Sequence, residues 1–147
     1  MPLKVPRKLI AEMIAHALEQ DPEECCGILF GTDDCAESSR RMTNAHPSKL
    51  SRYTMDPLEL MQAQGEADKR GQQFVAIYHS HTYTQGYPSE TDVSNAVESG
   101  WTDPHYVLVS LVEKTRPVVR AYKISDDRSV EEVVITTDGQ PYRSTGK

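Results

Sequence analysis

His79-Ser80-His81-Thr82-Tyr83-Thr84-Gln85-Gly86-Tyr87-Pro88-Ser89-Glu90-Thr91-Asp92 is the stretch on which the reading of this chain turns. It follows Phe74-Val75-Ala76-Ile77-Tyr78, a short apolar run whose content predicts a largely buried strand. Residues i and i+2 of a strand share a face, so His79 and His81 project to one side and Ser80 to the other. Ser89-Glu90-Thr91-Asp92 has the Ser-x-x-Asp spacing of a helix capping box, which predicts a helix from there to about Gly100. The loop between is long enough to fold Asp92 back over the strand end. Two imidazoles and a carboxylate form a ligand set suited to Zn²⁺, and three protein ligands leave a fourth position for water, as in catalytic sites.

The plainer alternative makes His79 and His81 ordinary polar residues of a strand end and Ser89 and Asp92 a helix cap alone. With each residue type at roughly 5% or less of an average chain, five fixed identities arise by chance on the order of 10⁻⁴ per chain of this length. That weighs for metal binding, and cap and ligand can coexist. Other zinc patterns fail at named positions: His-Glu-x-x-His is absent, Cys25-Cys26 is not a Pro-Cys-x-x-Cys, and Tyr83 stands where a His-x-His-x-Asp-His site needs Asp.

Working outward, Val5, Leu9, Ile10, Met13, Ile14, Ala17 and Leu18 form the stripe of an amphipathic helix that ends before Pro22. Cys26 to Gly31 predicts a buried strand, and Arg40 to Ala45 and Arg52 to Met55 predict weaker ones. Asp56-Pro57-Leu58-Glu59 reads as a capped helix start with Glu59 closing the box, and that helix stops near Gly71. His105 to Val112, Val118 to Ile124 and Val130 to Thr136 read as strands. Helices and strands mix without strict alternation, which predicts an α/β (α+β) architecture with a curved mixed β-sheet flanked by helices. Without a repeat or a linker, residues 1–137 read as a single domain and 138–147 as a flexible polar tail.

The chain has 147 residues, with Lys+Arg 16 against Asp+Glu 22 and a net charge of −6. That balance argues against nucleic acid as a partner and against docking on an anionic membrane. No apolar run reaches the roughly 18 residues of a membrane span, and no signal-peptide pattern opens the chain. The odd set Cys25, Cys26 and Cys35 is no disulfide framework, so a cytoplasmic protein with reduced thiols is expected. Cys26, beside Gly27 in an apolar run, reads as core. Cys25 faces the opposite side of the strand, and Cys35, beside Asp33-Asp34, reads as a loop thiol.

These motifs resemble the JAMM (MPN-plus, or JAB) zinc isopeptidases. That family's pattern is an upstream Glu, then His-[Ser/Thr]-His, seven residues, Ser, two residues, Asp; His79-Ser80-His81, Ser89 and Asp92 fit it. Pro22-Glu23-Glu24-Cys25-Cys26-Gly27 resembles the upstream signature and aligns Glu24, not Glu23, with the family's glutamate. The resemblance runs over roughly residues 5–137. Ala76 to Val93 and His105 to Ser110 are similar to the short stand-alone prokaryotic branch, one actinobacterial member of which removes a terminal cysteine from a ubiquitin-fold sulfur carrier.

The resemblance implies the JAMM/MPN fold, zinc on His79, His81 and Asp92, Glu24 as general base and Ser89 as donor to the developing oxyanion. It implies a peptidase or isopeptidase acting at the C-terminal tail of a ubiquitin-like or sulfur-carrier protein, with cysteine among the candidate leaving groups. A general deubiquitinase-like enzyme or small-peptide amidase is the nearest alternative. A non-catalytic MPN scaffold is the rival of another class, and such relatives typically lack the zinc ligands. Tyr83 and Tyr87 lie in the loop between ligands, where substrate contact is plausible, and Trp101 reads as packing. The roles of His105 and Asn44, and the oligomeric state, stay open.

Overall fold

A computed structural model describes residues 2–142. Its elements in chain order are β1 (Leu3–Lys4), α1 (Arg7–Gln20), β2 (Cys26–Thr32), β3 (Cys35–Met42), α2 (Pro57–Lys69), β4 (Gln73–His81), α3 (Glu90–Glu98), β5 (His105–Ser110), β6 (Val118–Ile124), β7 (Val130–Val133), β8 (Ile135–Thr137) and β9 (Gln140–Pro141). All nine strands join one mixed sheet in the order β7-β6-β5-β4-β2-β3-β1-β8-β9. This is the expected α+β architecture.

The sheet is curled, and the chain shows why. Only Val134 separates β7 from β8, yet the two lie far apart in the strand order. The Leu3 amide donates to the Val134 carbonyl at 2.9 Å, which ties β1 to the crossing point. Alternate strand residues divide between the two faces of the sheet. Leu29, Tyr78, Val107, Val119 and Ile135 share a cluster with Leu9, Ile10, Met13 and Ala17, so α1 fills the inside of the curl. Cys26, Ile28 and Phe30 pack on Ala63 and Ala67 of α2, and Ile77, Tyr106 and Ile124 pack on Ala96 of α3. Two helices therefore cover the outer face, and His79 and His81, in phase with Ile77, emerge there.

Several sequence expectations shift. β3 begins at Cys35 and stops at Met42, so Cys35 is a strand residue rather than a loop thiol; its polar Glu37-Ser38-Ser39-Arg40-Arg41 stretch hid the strand. The strand expected over Arg52–Met55 shrinks to a single bridge between Asn44 and Met55. Val130–Thr136 is two strands, because the chain crosses the opening of the curl at Val134. Asp56 caps α2 through the Glu59 amide at 3.1 Å, but the Glu59 carboxylate accepts from the Thr43 amide and hydroxyl at 2.8 and 2.7 Å instead of closing the box. The tail expected to be frayed from Asp138 instead turns at Asp138-Gly139, both at positive φ, into the β8–β9 hairpin. Tyr142 packs on the α1 cluster and its amide donates to the Ile135 carbonyl; residues 143–147 of that tail lie outside the described residues. Among the described residues no helix is long and apolar enough to cross a membrane.

Candidate metal centre

β4 carries the two histidines because it is held on both sides, antiparallel to β2 and parallel to β5, with pairing kept through His81↔Ser110. The strand period therefore survives to its last residue. His79 Nε2 and His81 Nε2 lie 3.2 Å apart, and Asp92 Oδ2 lies 3.2 Å from the first and 3.1 Å from the second. Asp92 is placed by the start of α3, where both halves of the capping box form. The Ser89 amide donates to Asp92 Oδ2 at 2.9 Å, and the Asp92 amide donates to Ser89 Oγ at 3.1 Å. One carboxylate oxygen thus caps the helix and faces both imidazoles.

These donors suit a metal ion. His81 Nδ1 lies 2.9 Å from the Gln85 carbonyl, an acceptor, so Nδ1 carries a hydrogen, and in the neutral ring Nε2 presents its lone pair. Asp92 Oδ2 is also an acceptor, and two lone-pair centres so close in a buried site repel unless a proton or a cation lies between them. An ion with bonds of about 2.0–2.1 Å at tetrahedral angles sets its donors about 3.3 Å apart, close to the three spacings found. Among the described residues, His79, His81 and Asp92 are the group of His, Cys, Asp and Glu side chains that could hold a metal.

The loop that sets the Gln85 carbonyl is itself anchored. Ser110 Oγ donates to the Thr84 carbonyl at 2.6 Å, and the Tyr122 hydroxyl donates to the Gly86 carbonyl. Burial pushes His79 towards the neutral form. At His81 burial acts the same way, but the bonds to Asp92 and to the Gln85 carbonyl reverse it and raise the value. Burial would raise the Asp92 carboxyl, yet the imidazoles and the Ser89 amide hold it far below the usual carboxylate range.

Glu24 arrives from another part of the chain. Its amide donates to the Lys49 carbonyl at 2.8 Å, and its carbonyl accepts from Asn44 Nδ2 at 2.9 Å. Asn44 Nδ2 also donates to the Arg52 carbonyl, and Asn44 Oδ1 accepts from the His46 and Thr54 amides. The side chain left open at the sequence level is therefore the clip of the 44–55 segment. Glu24 is buried, with 7% of its surface exposed. Burial raises its carboxyl to about 7; His81 and Arg52 pull it down and Asp92 pushes it up.

The structure brings Glu24, His79, His81, Ser89 and Asp92 to one end of the sheet. The other residues singled out in the sequence have other surroundings. His105 pairs with Ala76 at the far end of β4 and faces Asp34 at 3.7 Å. Cys25 and Cys26 are buried in the clusters of the two opposite faces, and burial pushes the Cys25 thiol up to about 11 and the Cys26 thiol higher still, so neither is a thiolate. Trp101 packs edge-on to Phe74 at 5.6 Å. Tyr83 and Tyr87 are exposed on the loop between ligands, with Tyr87 edge-on to Tyr122. Sequence reasoning missed Tyr53, whose ring stacks on His79; a tyrosine in a segment without periodicity carries no signal of that contact.

The profile of prokaryotic homologs of the JAB domain matches residues 6–125. The chain is 39% identical over 134 residues to the CysO-cysteine peptidase of Mycobacterium tuberculosis, covering 90% of this chain and 89% of that one. It is 33% identical over 133 residues to a probable TtuB-protein conjugate cleaving protease of Thermus thermophilus, covering 90% and 83%. A solution structure of a Desulfitobacterium hafniense protein superposes with TM-score 0.79 at 30% identity, covering 94% of each chain.

Proposed function

The chain belongs to the family of prokaryotic homologs of the JAB domain, and we propose that it is a zinc peptidase that hydrolyses the bond after the C-terminal tail of a ubiquitin-like or sulfur-carrier protein. The observation that carries this reading is the convergence of His79 Nε2, His81 Nε2 and Asp92 Oδ2 within 3.2 Å beside a buried glutamate. The names of the two relatives, a carrier–cysteine peptidase and a carrier-conjugate protease, support the substrate class. The greater identity to the first supports cysteine as the leaving group.

His79, His81 and Asp92 would hold the ion. Zinc in that position supplies Lewis acidity to a water molecule and to the scissile carbonyl. Glu24 takes a proton from the attacking water; the water oxygen bonds to the carbonyl carbon, the C–N bond breaks, and Glu24 returns the proton to the leaving amine. A carboxyl poised near neutrality suits both transfers. The Ser89 oxygen already accepts from the Asp92 amide, so its own hydrogen is free to donate to the developing oxyanion.

The test is metal analysis joined to mass spectrometry of carrier–cysteine and carrier–lysine conjugates, with and without a chelator. The expected result is one zinc per chain, loss of the terminal residue, and arrest by the chelator. A zinc-loaded chain that leaves every conjugate intact overturns the proposal in favour of a non-catalytic scaffold.

A further inference from the structure

We infer that Tyr53 is a positioning residue for His79, holding the imidazole by ring stacking where His81 is held by a hydrogen bond. The two proposed ligands are supported differently. His81 has its second nitrogen on the Gln85 carbonyl. His79 Nδ1 is buried and has no hydrogen-bond partner among the described residues. The imidazole torsion about Cβ–Cγ is intrinsically broad, so a ligand histidine usually owes its orientation to the bond at its other nitrogen. At His79 no described residue supplies that restraint, and an aromatic face lies against the ring: the Tyr53 ring is 4.3 Å from the His79 ring, centroid to centroid, at 25° to it.

Tyr53 is itself well fixed. The residues on either side of it are bonded to one side chain, Arg52 through its carbonyl to Asn44 Nδ2 and Thr54 through its amide to Asn44 Oδ1. The Ala45 amide donates to the Thr54 carbonyl at 2.8 Å, and Met55 bridges to Asn44. Tyr53 also packs against the cluster of Cys26, Ile28 and Phe30 beneath α2. Because Asn44 also holds the Glu24 carbonyl, one clip sets both the base and the ring that steadies a ligand.

The inference rests on the proposed zinc site, and the experiment separates the two. Zn²⁺ affinity is measured by competition with a chromogenic chelator on the full chain for wild type, Tyr53→Phe and Tyr53→Leu, with Tm recorded for each metal-free protein. Tyr53→Phe keeps the ring and the wild-type affinity. Tyr53→Leu keeps apolar bulk, loses the aromatic face and weakens Zn²⁺ binding by about tenfold or more. Tyr53→Met takes its place if the leucine variant does not fold. A role in packing alone lowers Tm and leaves affinity unchanged, and equal affinity in all variants overturns the inference while leaving the zinc site standing. No Zn²⁺ binding by the wild-type chain overturns both.

Discussion

The Cys25 amide donates to the Ser80 hydroxyl at 2.8 Å, and the Ser80 amide donates back to the Cys25 carbonyl at 3.1 Å. The residue between the two histidines thus fastens the strand of the ligands to the residue that follows Glu24. Ser80→Ala leaves the buried Cys25 amide without its side-chain partner, at a cost of about 1–3 kcal/mol. We expect a lower Tm, retained zinc and reduced kcat, because the anchor next to the proposed base is lost while the histidines keep their strand. Unchanged kcat in a variant of lowered Tm would show that the clasp serves stability alone.

On the proposed mechanism Glu24 should set the acid side of the pH profile. Its folded value is raised to about 7 by burial, above the ordinary 4.5. Proton acceptance needs the ionised form, so kcat/KM rises with pH through the folded value; the charge of a bound dication pulls that value down, and the bend falls at or below about 7. Stability moves the opposite way in the metal-free chain. The folded state keeps a proton that the unfolded state has lost, so this group's contribution fades as pH climbs from the ordinary value through the folded one. Glu24→Gln should retain zinc and lose at least about 10²-fold in turnover. Loss of zinc instead would reassign Glu24 as a ligand.

Asp92 Oδ2 caps α3 and is a proposed metal ligand, two roles that Asp92→Asn separates. An amide oxygen still accepts from the Ser89 amide, so α3 keeps its start. The negative charge is gone, and Zn²⁺ affinity should fall by more than the roughly 10–100-fold seen when only a ligand's outer partner is removed. Circular dichroism and chelator competition on the same sample check both halves.

Ser89→Ala removes a cap and the proposed oxyanion donor together. The cap is worth about 1 kcal/mol, and a donor to an oxyanion about 10²–10³ in kcat. Ser89→Asp caps without donating, so it should recover Tm and leave turnover low. Full activity in Ser89→Ala would reduce Ser89 to a helix cap.

Gly27 accommodates Tyr78 across the β2–β4 pairing. A Cβ there would overlap the Tyr78 ring. That ring cannot step aside, since it is fully buried and its hydroxyl bonds His16 Nδ1 at 2.7 Å. Gly27→Ala should cost about 1–3 kcal/mol or more, read as a drop in Tm. Because Tyr78 precedes His79, zinc affinity should fall with it.

Much of the centre was legible from short-range pattern. A strand repeats every two residues and a helix start has a fixed capping geometry, so His79 and His81 had to share a face and Asp92 had to sit in the first turn of α3. Those placements follow from backbone dihedrals, which a few neighbouring residues set. Glu24, Asn44 and Tyr53 come from segments with no such period. Their positions depend on β2 pairing with β4 and on the Asn44 clip, contacts between residues up to 55 apart in the chain. The Val134 crossing and the β8–β9 hairpin were hidden for the same reason: which strands meet, and in what register, is settled by burial of two sheet faces at once, a competition that runs over the whole chain.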